Sequence, residues 1–206
     1  MPPTVRAQVV DIRGDAPTAS DRFLVDSNAW YWLFYARASQ TPSAPQPYQL
    51  RYYPNYLKQA IQTKSILYCC ALNYAELAHN IEKAEREIYA DKASKNIGAK
   101  PFRHDYPNQR LKIVRLIGDT WSDVRSISTL LDLTLDSAFM QSAMTLFPSV
   151  GLDGYDLFMA ETALHSGISQ IITDDGDFAT VPGITLFTAN QRVIQDAKAD
   201  RKLLIR

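Results

Sequence analysis

Short apolar runs alternate with helical stretches along most of this chain, and this alternation restricts the fold more than any other feature. Phe23–Val25 is a short β-type run, and Ile66–Cys70 and Ile171–Ile172 are further candidates for strands. Stretches of helical composition separate these runs. Strands that alternate with helices form α/β domains in which a mainly parallel central sheet is flanked by helices. The sequence therefore predicts an α/β fold.

Acidic residues concentrate near the third of these strands. Five aspartates fall within 25 residues, namely Asp153, Asp156, Asp174, Asp175 and Asp177. Asp153 or Gly154 is predicted to begin a helix that ends at Gly167, whereas the last three aspartates follow a buried strand. Crowded carboxylates repel one another and raise each other's pKa unless a cation joins them, and hard divalent cations prefer oxygen ligands. The pattern predicts a divalent-metal site.

Two earlier acids occupy comparable places. Asp26 ends the first strand, and Glu76 lies on the helix that follows the second. A structural explanation exists for each of them. Asp26 or Ser27 has the residue type of a helix N-cap, and Asn73 with Glu76 has the spacing of a capping box. The local sequence leaves both alternatives open.

Net charge, cysteine content and hydropathy indicate the cellular compartment of the protein better than they indicate its binding partner. Formal net charge is zero, so no global basic field indicates nucleic acid, although an acidic site can offset basic residues elsewhere. Cys69 and Cys70 are the only cysteines, which gives neither a disulfide framework nor zinc-site spacing. There is no signal region, and no apolar run approaches the roughly 18 residues of a spanning helix. We expect a cytoplasmic protein without membrane contact.

An aromatic and proline-rich tract follows the first strand. Four prolines between residues 40 and 54 predict that no continuous helix forms there. Tyrosines interleave with cations, a pattern that can stack bases and contact phosphates of a single strand. The candidate substrate contacts are Arg51, Tyr52, Tyr53 and Lys58. In the alternative interpretation, the tyrosines hold this loop to the body of the protein.

Three further stretches are interpreted structurally. Residues 82–91 carry charge on most faces and predict a solvated helix. Residues 131–136 alternate as a short strand, and residues 137–147 predict a short helix. The three histidines are interpreted as ordinary surface or packing residues; they are His79, His104 and His165.

Four segments together resemble a known family. They are Phe23-Leu-Val-Asp-Ser-Asn28, Asn73-Tyr-Ala-Glu-Leu77, Asp156-Leu-Phe-Met-Ala160 with Thr162-Ala163, and Ile171-Ile-Thr-Asp-Asp-Gly-Asp-Phe178 followed by Pro182-Gly183-Ile184. Their order resembles the PIN-domain ribonucleases, whose best-known members are toxins of VapBC-type toxin–antitoxin pairs. The resemblance covers about 21–37, 64–90 and 131–190, and it implies a PIN-like three-layer domain.

The resemblance also implies a set of site residues. The catalytic and metal-binding acids would be Asp26, Glu76, Asp156 and Asp175, with Asp177 as a further ligand of Mg²⁺ or Mn²⁺. Ser27 and Asn28 would position the first acid, and Thr173 and Asp174 would support the last. Which of Asp174, Asp175 and Asp177 is the fourth ligand stays open.

The activity that the resemblance implies is that of an endoribonuclease. Metal-bound water would hydrolyse phosphodiester bonds of single-stranded or loop RNA and leave a 5′-phosphate. The implied partners are the RNA substrate, a small antitoxin protein and a second copy of the chain in a homodimer.

Two other functions are considered. One is a catalytically inactive PIN-like module that binds RNA or protein. The other is a metal-dependent phosphotransferase or phosphatase, for which Asp26-Ser27-Asn28 lacks the second acid; no Walker loop is present.

The predicted organisation is one domain with additions. Residues 1–20 are expected to form an N-terminal arm with at most one short strand. Residues 21–190 form a single PIN-like domain with insertions at about 38–65 and 91–130. Residues 191–206 form a helical tail.

Overall fold

The computed structural model describes residues 4–206, and its centre is a sheet of seven parallel strands with helices on both faces. The strands are β1 (Gln8–Asp11), β2 (Arg22–Val25), β3 (Ile66–Cys70), β4 (Thr129–Leu131), β5 (Gln170–Ile172), β6 (Thr185–Thr188) and β7 (Leu203–Leu204). The α-helices are α1 (Ser27–Phe34), α2 (Pro47–Gln62), α3 (Ala71–Lys92), α4 (Ala99–Asp105), α5 (Pro107–Ile127), α6 (Ser137–Leu146), α7 (Gly154–His165) and α8 (Gln191–Ala199). This architecture confirms the predicted α/β fold.

The strand order creates a crevice at the centre of the sheet. The order is β4-β3-β2-β5-β6-β1-β7, so the chain leaves β2 toward β3 on one side and later returns to β5 on the other. Such a switch point opens a crevice outside the carboxyl ends of the strands, where α/β proteins bind ligands. Asp26 directly follows β2, and Thr173 directly follows β5. The sheet therefore brings two predicted site residues to the same crevice.

Two apolar clusters, one on each face of the sheet, form the core. Strand β2 shows the division, since Phe23 and Val25 belong to one cluster and Leu24 to the other. All three are fully buried. Side chains of successive strand residues point to opposite faces, so a strand covered on both faces is apolar throughout. The three layers expected from the sequence are present.

The prediction that residues 40–54 form no continuous helix is wrong from Pro47 onward. Helix α2 runs from Pro47 to Gln62 and contains Pro54 in its interior. Pro47 stands in the first turn, where its missing N–H costs nothing. Pro54 does remove one backbone donor, but Tyr53 and Leu57 beside it are fully buried. Burial of this apolar face offsets the lost hydrogen bond.

Two strand assignments also differ from expectation. The strand expected over 131–136 is β4, which ends at Leu131, and Asp136 instead caps helix α6 by accepting a hydrogen bond from the Phe139 N–H at 2.9 Å. Strand β7 was not predicted. It follows α8 and pairs with β1, with Val9 opposite Leu203.

The helix prediction for residues 82–91 needs a correction at one position. The helix is present as part of α3, but Glu82 is buried instead of solvated.

Within residues 4–206, no helix combines the length and apolar character needed to cross a bilayer. The division into arm, single domain and tail stays a prediction. The structure places β1 of the arm inside the central sheet and gives the tail both α8 and β7.

Candidate active site

Asp26 is a carboxylate buried at the centre of the crevice, with 2% of its surface exposed. It occupies the N-cap position of α1, but its side chain makes no capping hydrogen bond. Instead, Asp26 Oδ2 accepts a hydrogen bond from Thr173 Oγ1 at 2.8 Å. The same threonine oxygen accepts the backbone N–H of Asp175 at 2.9 Å. The geometry disfavours the helix-cap alternative for Asp26, because the carboxylate is directed at the end of β5.

Asn73 ties the start of α3 to the start of α1. It is not the N-cap of α3, since the helix begins at Ala71. Its side chain accepts the Cys70 N–H at 2.7 Å and donates to the Val25 carbonyl at 3.1 Å and to Ser27 Oγ at 3.0 Å. All these groups are buried. Asn73 therefore fixes α3, and with it Glu76, against the residues that flank Asp26.

Glu76 lies one turn further along α3 and reaches the same crevice. Its Oε2 atom is buried and has no hydrogen-bond partner among residues 4–206. Burial raises the pKa of Glu76, and the negative charges of Asp153 and Asp175 raise it further, against a lowering by the Ser27 hydroxyl and by His79. A buried carboxylate oxygen without a partner is costly unless a cation or donor completes it.

Helix α7 brings the third acid. Asp153 caps this helix by accepting the N–H groups of Tyr155 and Asp156 at 2.9 and 3.0 Å, which confirms its predicted role. The helix then holds the half-buried Asp156 toward the other acids. Burial raises the pKa of Asp156 to about 8, and repulsion from Asp26, Asp175, Asp153 and Glu76 contributes in that order.

The three aspartates after β5 have different surroundings. Asp174 accepts hydrogen bonds from Tyr48, Gln49 and Tyr53 of α2 at 2.7, 2.5 and 2.6 Å. Asp175 accepts the N–H of Asp177 at 2.8 Å, and burial raises its pKa. Asp177 is exposed. The negative charge of Asp175 raises the pKa of both Asp26 and Asp156. Asp174 instead anchors α2.

The four predicted acids repel one another, and this is the main electrostatic property of the site. Burial is the largest cause of the raised pKa of Asp26, which reaches about 7, and the charges of Glu76 and Asp175 add to it. The hydrogen bond from Thr173 lowers the same pKa. Each ionised carboxylate disfavours ionisation of its neighbours. A bound cation would remove this repulsion and allow the four groups to be ionised together.

The donor set fits a hard divalent cation, although the side chains do not form a closed ligand cage. All four acids offer oxygen atoms, which Mg²⁺ and Mn²⁺ prefer, and Glu76 Oε2 is buried without a hydrogen-bond partner among residues 4–206. Across residues 4–206, however, no group of three His, Cys, Asp or Glu side chains stands close enough to hold a metal.

Two grooves border the acids. The first has a volume of about 660 Å³ and is lined by Glu76 and Asp156 together with His79, Arg103 and Arg110. The second has a volume of about 380 Å³. Its lining includes Asn28, Lys83, Asp174 and Asp175. Groups of both charge signs therefore surround the crevice.

Sequence reasoning missed three of these groove residues. Arg103 lies on α4 and Arg110 on α5, in the long insertion, where no local pattern signals an approach to the acids. His79 was interpreted as an ordinary surface or packing residue. It lies three residues after Glu76 on the same face of α3, and that spacing is the one signal that could have found it.

The candidate substrate contacts in α2 divide into two groups. Tyr53 is fully buried, and its hydroxyl contacts Asp174, Thr188 and the Ala189 N–H, so it does not meet a substrate. For Tyr53 the prediction is wrong, because the helix turns this ring into the core. Arg51 and Lys58 are exposed and Tyr52 is half-buried, with the Arg51 guanidinium 5.3 Å from the centre of the Tyr52 ring. None of these three lines either groove.

Comparison with known proteins finds a matching family model and similar solved structures. The model of the PIN domain family matches residues 23–184. One similar solved structure is VapBC2 from Rickettsia felis, bound to a DNA fragment from the VapBC2 promoter. Its sequence is 13% identical, and the alignment covers 81% of this chain and 97% of that chain with a TM-score of 0.49. FitAcB from Neisseria gonorrhoeae is 14% identical, with coverages of 82% and 99% and a TM-score of 0.40. No curated protein sequence matches the chain.

Proposed function

This chain belongs to the PIN domain family, and on that premise we propose that it is a divalent-metal-dependent endoribonuclease acting on single-stranded or loop RNA. The observation that carries the proposal is the convergence of Asp26, Glu76, Asp156 and Asp175, which come from different elements and each have a raised pKa. Burying mutually repelling carboxylates is costly, and such costs concentrate at functional sites.

In the proposal, these four acids hold Mg²⁺ or Mn²⁺, and Asp177 at the exposed rim is a further candidate. When bound, the ion activates water and stabilises the charge that develops on the phosphate. The chain's own contribution is orientation. Thr173 fixes one oxygen of Asp26 at 2.8 Å, and Asn73 holds the Ser27 hydroxyl at 3.0 Å.

An extended single strand suits the surroundings of the acids. One groove is bordered by Glu76 and Asp156, and the other by Asn28 and Asp175, so a strand that occupied both grooves would have its backbone next to three of the four acids. Unpaired RNA offers both its backbone and its bases, whereas the groove of a duplex hides its bases.

The test is cleavage of a labelled single-stranded RNA by purified protein with Mg²⁺, with Mn²⁺ and with EDTA. We expect metal-dependent cutting that Asp156→Asn abolishes. The control variant is Asp132→Asn, which makes the same chemical change at an exposed position outside both grooves. Cutting that persists in Asp156→Asn, or in EDTA, would refute the assignment.

The inactive binding module is the alternative that this experiment separates. It predicts RNA or protein binding without cutting in either metal. The toxin role, the antitoxin partner, the homodimer and the cytoplasmic location are further proposals that rest on the family resemblance. Growth arrest on expression of the wild-type protein, relieved by Asp156→Asn, would support the toxin role.

A further inference from the structure

A buried carboxylate on α3 holds two arginines at the wall of the first groove. Glu82 Oε1 accepts a hydrogen bond from Arg103 Nε at 2.6 Å, and Glu82 Oε2 pairs with Arg110 Nη1. The side chain of Glu82 is 9% exposed, whereas those of Arg103 and Arg110 are 44% and 38% exposed. The carboxylate is thus hidden behind the two cations that it orients.

The two arginines keep binding capacity after this pairing. Each guanidinium carries five N–H donors, and each uses a single nitrogen on Glu82. Two positive charges face one negative charge, which leaves the cluster with a net positive charge beside an acidic site. Guanidinium groups match the geometry of phosphate oxygens and are oriented here before any ligand arrives.

The cluster lies on the same groove as the acids but is separate from them. Glu76 and Glu82 are six residues apart on α3, which corresponds to about 9 Å along the helix axis. The arginines therefore reach the groove from a position on α3 that is displaced from Glu76, and they are available to a phosphate other than the one at the acids.

Two exposed tyrosines also line this groove. Tyr155 is 65% exposed and Tyr74 is 44% exposed. The Tyr74 ring packs edge-on against Trp121 with 5.4 Å between ring centres, which orients it. Aromatic rings next to cations are the combination that binds successive bases and phosphates of a single strand.

We infer that this groove is the binding path for the RNA strand, in which Arg103 and Arg110 bind a backbone phosphate and Tyr74 and Tyr155 contact bases. The inference rests on the proposed function, because it names how the same site takes its substrate. The arginines come from α4 and α5, so the insertion at about 91–130 has the role of a substrate-binding element.

The test measures binding apart from cleavage. The probe is a short fluorescein-labelled single-stranded RNA of mixed sequence, titrated by fluorescence anisotropy in EDTA over a range of NaCl concentrations. We expect Arg103→Gln and Arg110→Gln each to weaken binding roughly tenfold. Each should also reduce the slope of log K against log salt by about 0.7, the value for one lost phosphate contact on a single strand.

The variants are designed so that folding is preserved. Each single substitution leaves Glu82 with one arginine partner. Thermal unfolding of each variant would verify that the fold is preserved. The matched control is Arg115→Gln, an exposed arginine on α5 that lies outside the groove and should change neither affinity nor slope. Tyr155→Ala should weaken binding by roughly tenfold or more while leaving the salt slope unchanged, because stacking releases no counterions.

Each outcome decides the inference independently of the nuclease assignment. If both arginine variants bind with the affinity and slope of the wild type, the inference is overturned, and the arginines only anchor the insertion to α3. If the wild type cuts nothing in any metal but shows the expected arginine-dependent slope, the binding path stands and the nuclease proposal fails.

Discussion

The carboxylate of Asp174 joins helix α2 to the loop that carries Asp175, and we expect Asp174→Ala to destabilise the protein substantially. Three donors converge on this side chain, from Tyr48, Gln49 and Tyr53, at 2.7, 2.5 and 2.6 Å. Together with a longer hydrogen bond from the Tyr53 hydroxyl to the Thr173 carbonyl at 3.3 Å, they attach the N-terminal turns of α2 to the end of β5. Their loss would release both the helix and the adjacent acid.

The expected magnitude follows from what each donor can do afterwards. Tyr48 and Gln49 are half-buried and can turn to water, so each loses only about 1 kcal/mol of net hydrogen-bond energy. Tyr53 is buried but keeps Thr188 Oγ1 at 3.0 Å and the Ala189 N–H at 2.9 Å, which limits its loss to a similar amount. The free energy of unfolding should fall by about 2–3 kcal/mol, a large part of the usual 5–15 kcal/mol.

The assay is urea denaturation followed by tryptophan fluorescence and circular dichroism. Asp132→Ala is the control, since it deletes an exposed aspartate and should stay within about 0.5 kcal/mol of the wild type. A loss for Asp174→Ala no larger than that of the control would refute the reasoning. It would mean that α2 is held by its apolar face alone.

Three further results are expected. With EDTA present, Asp156→Asn should gain stability over the wild type by roughly 2 kcal/mol between pH 4 and pH 8, after allowance for partial exposure. The sign follows because a carboxyl whose pKa is raised to about 8 stabilises the fold only while it is protonated, so this contribution is lost as pH rises. Asn73→Ala should lower the free energy of unfolding by about 2–4 kcal/mol. The substitution leaves the buried Cys70 N–H, Val25 carbonyl and Ser27 hydroxyl without the hydrogen bonds that Asn73 makes to them. Thr173→Val should reduce RNA cleavage by about 10–100-fold with little change in fold, since it removes the donor to Asp26 and the acceptor for the Asp175 N–H.

Each of these has its own check. Urea denaturation at several pH values measures the first, and a constant difference between wild type and Asp156→Asn would contradict it. The second uses the same assay at one pH, with Asn55→Ala on the exposed side of α2 as the matched control. For Thr173→Val, single-turnover cleavage is the readout, and wild-type activity in a folded variant would show that Asp26 is oriented without the threonine.

Local sequence patterns predict where two of the four candidate acids lie in the fold. Asp26 and Asp175 follow apolar runs that become β2 and β5, and these strands pair in register, with Val25 opposite Ile172. Parallel strands end at the same edge, so a strand assignment also predicts where the following side chain lies. Asp153 likewise follows from local chemistry, as a residue type that caps helices.

The arginines of the groove could not be predicted in this way. Arg103 and Arg110 reach Glu82 because α4 and α5 fold back along α3, and no short-range pattern encodes that approach. Glu82 itself looked solvated because its sequence neighbours are charged. Tyr53 shows the reverse error, since its phenol is directed into the core where a stacking surface was expected. Long-range packing decided all of these positions.

The place of β1 in the sheet has a consequence for the order in which the protein is built. Its neighbours, β6 and β7, lie at the far end of the sequence, with Val9 opposite Leu186 on one side and Leu203 on the other. β1 is synthesised long before β6 and β7, so it has neither partner strand until both have been made. Its valines, fully buried in the finished protein, face water throughout that interval. Until β6 and β7 emerge, β1 is an unpaired apolar segment of the growing chain, and every candidate catalytic acid has been synthesised before that point.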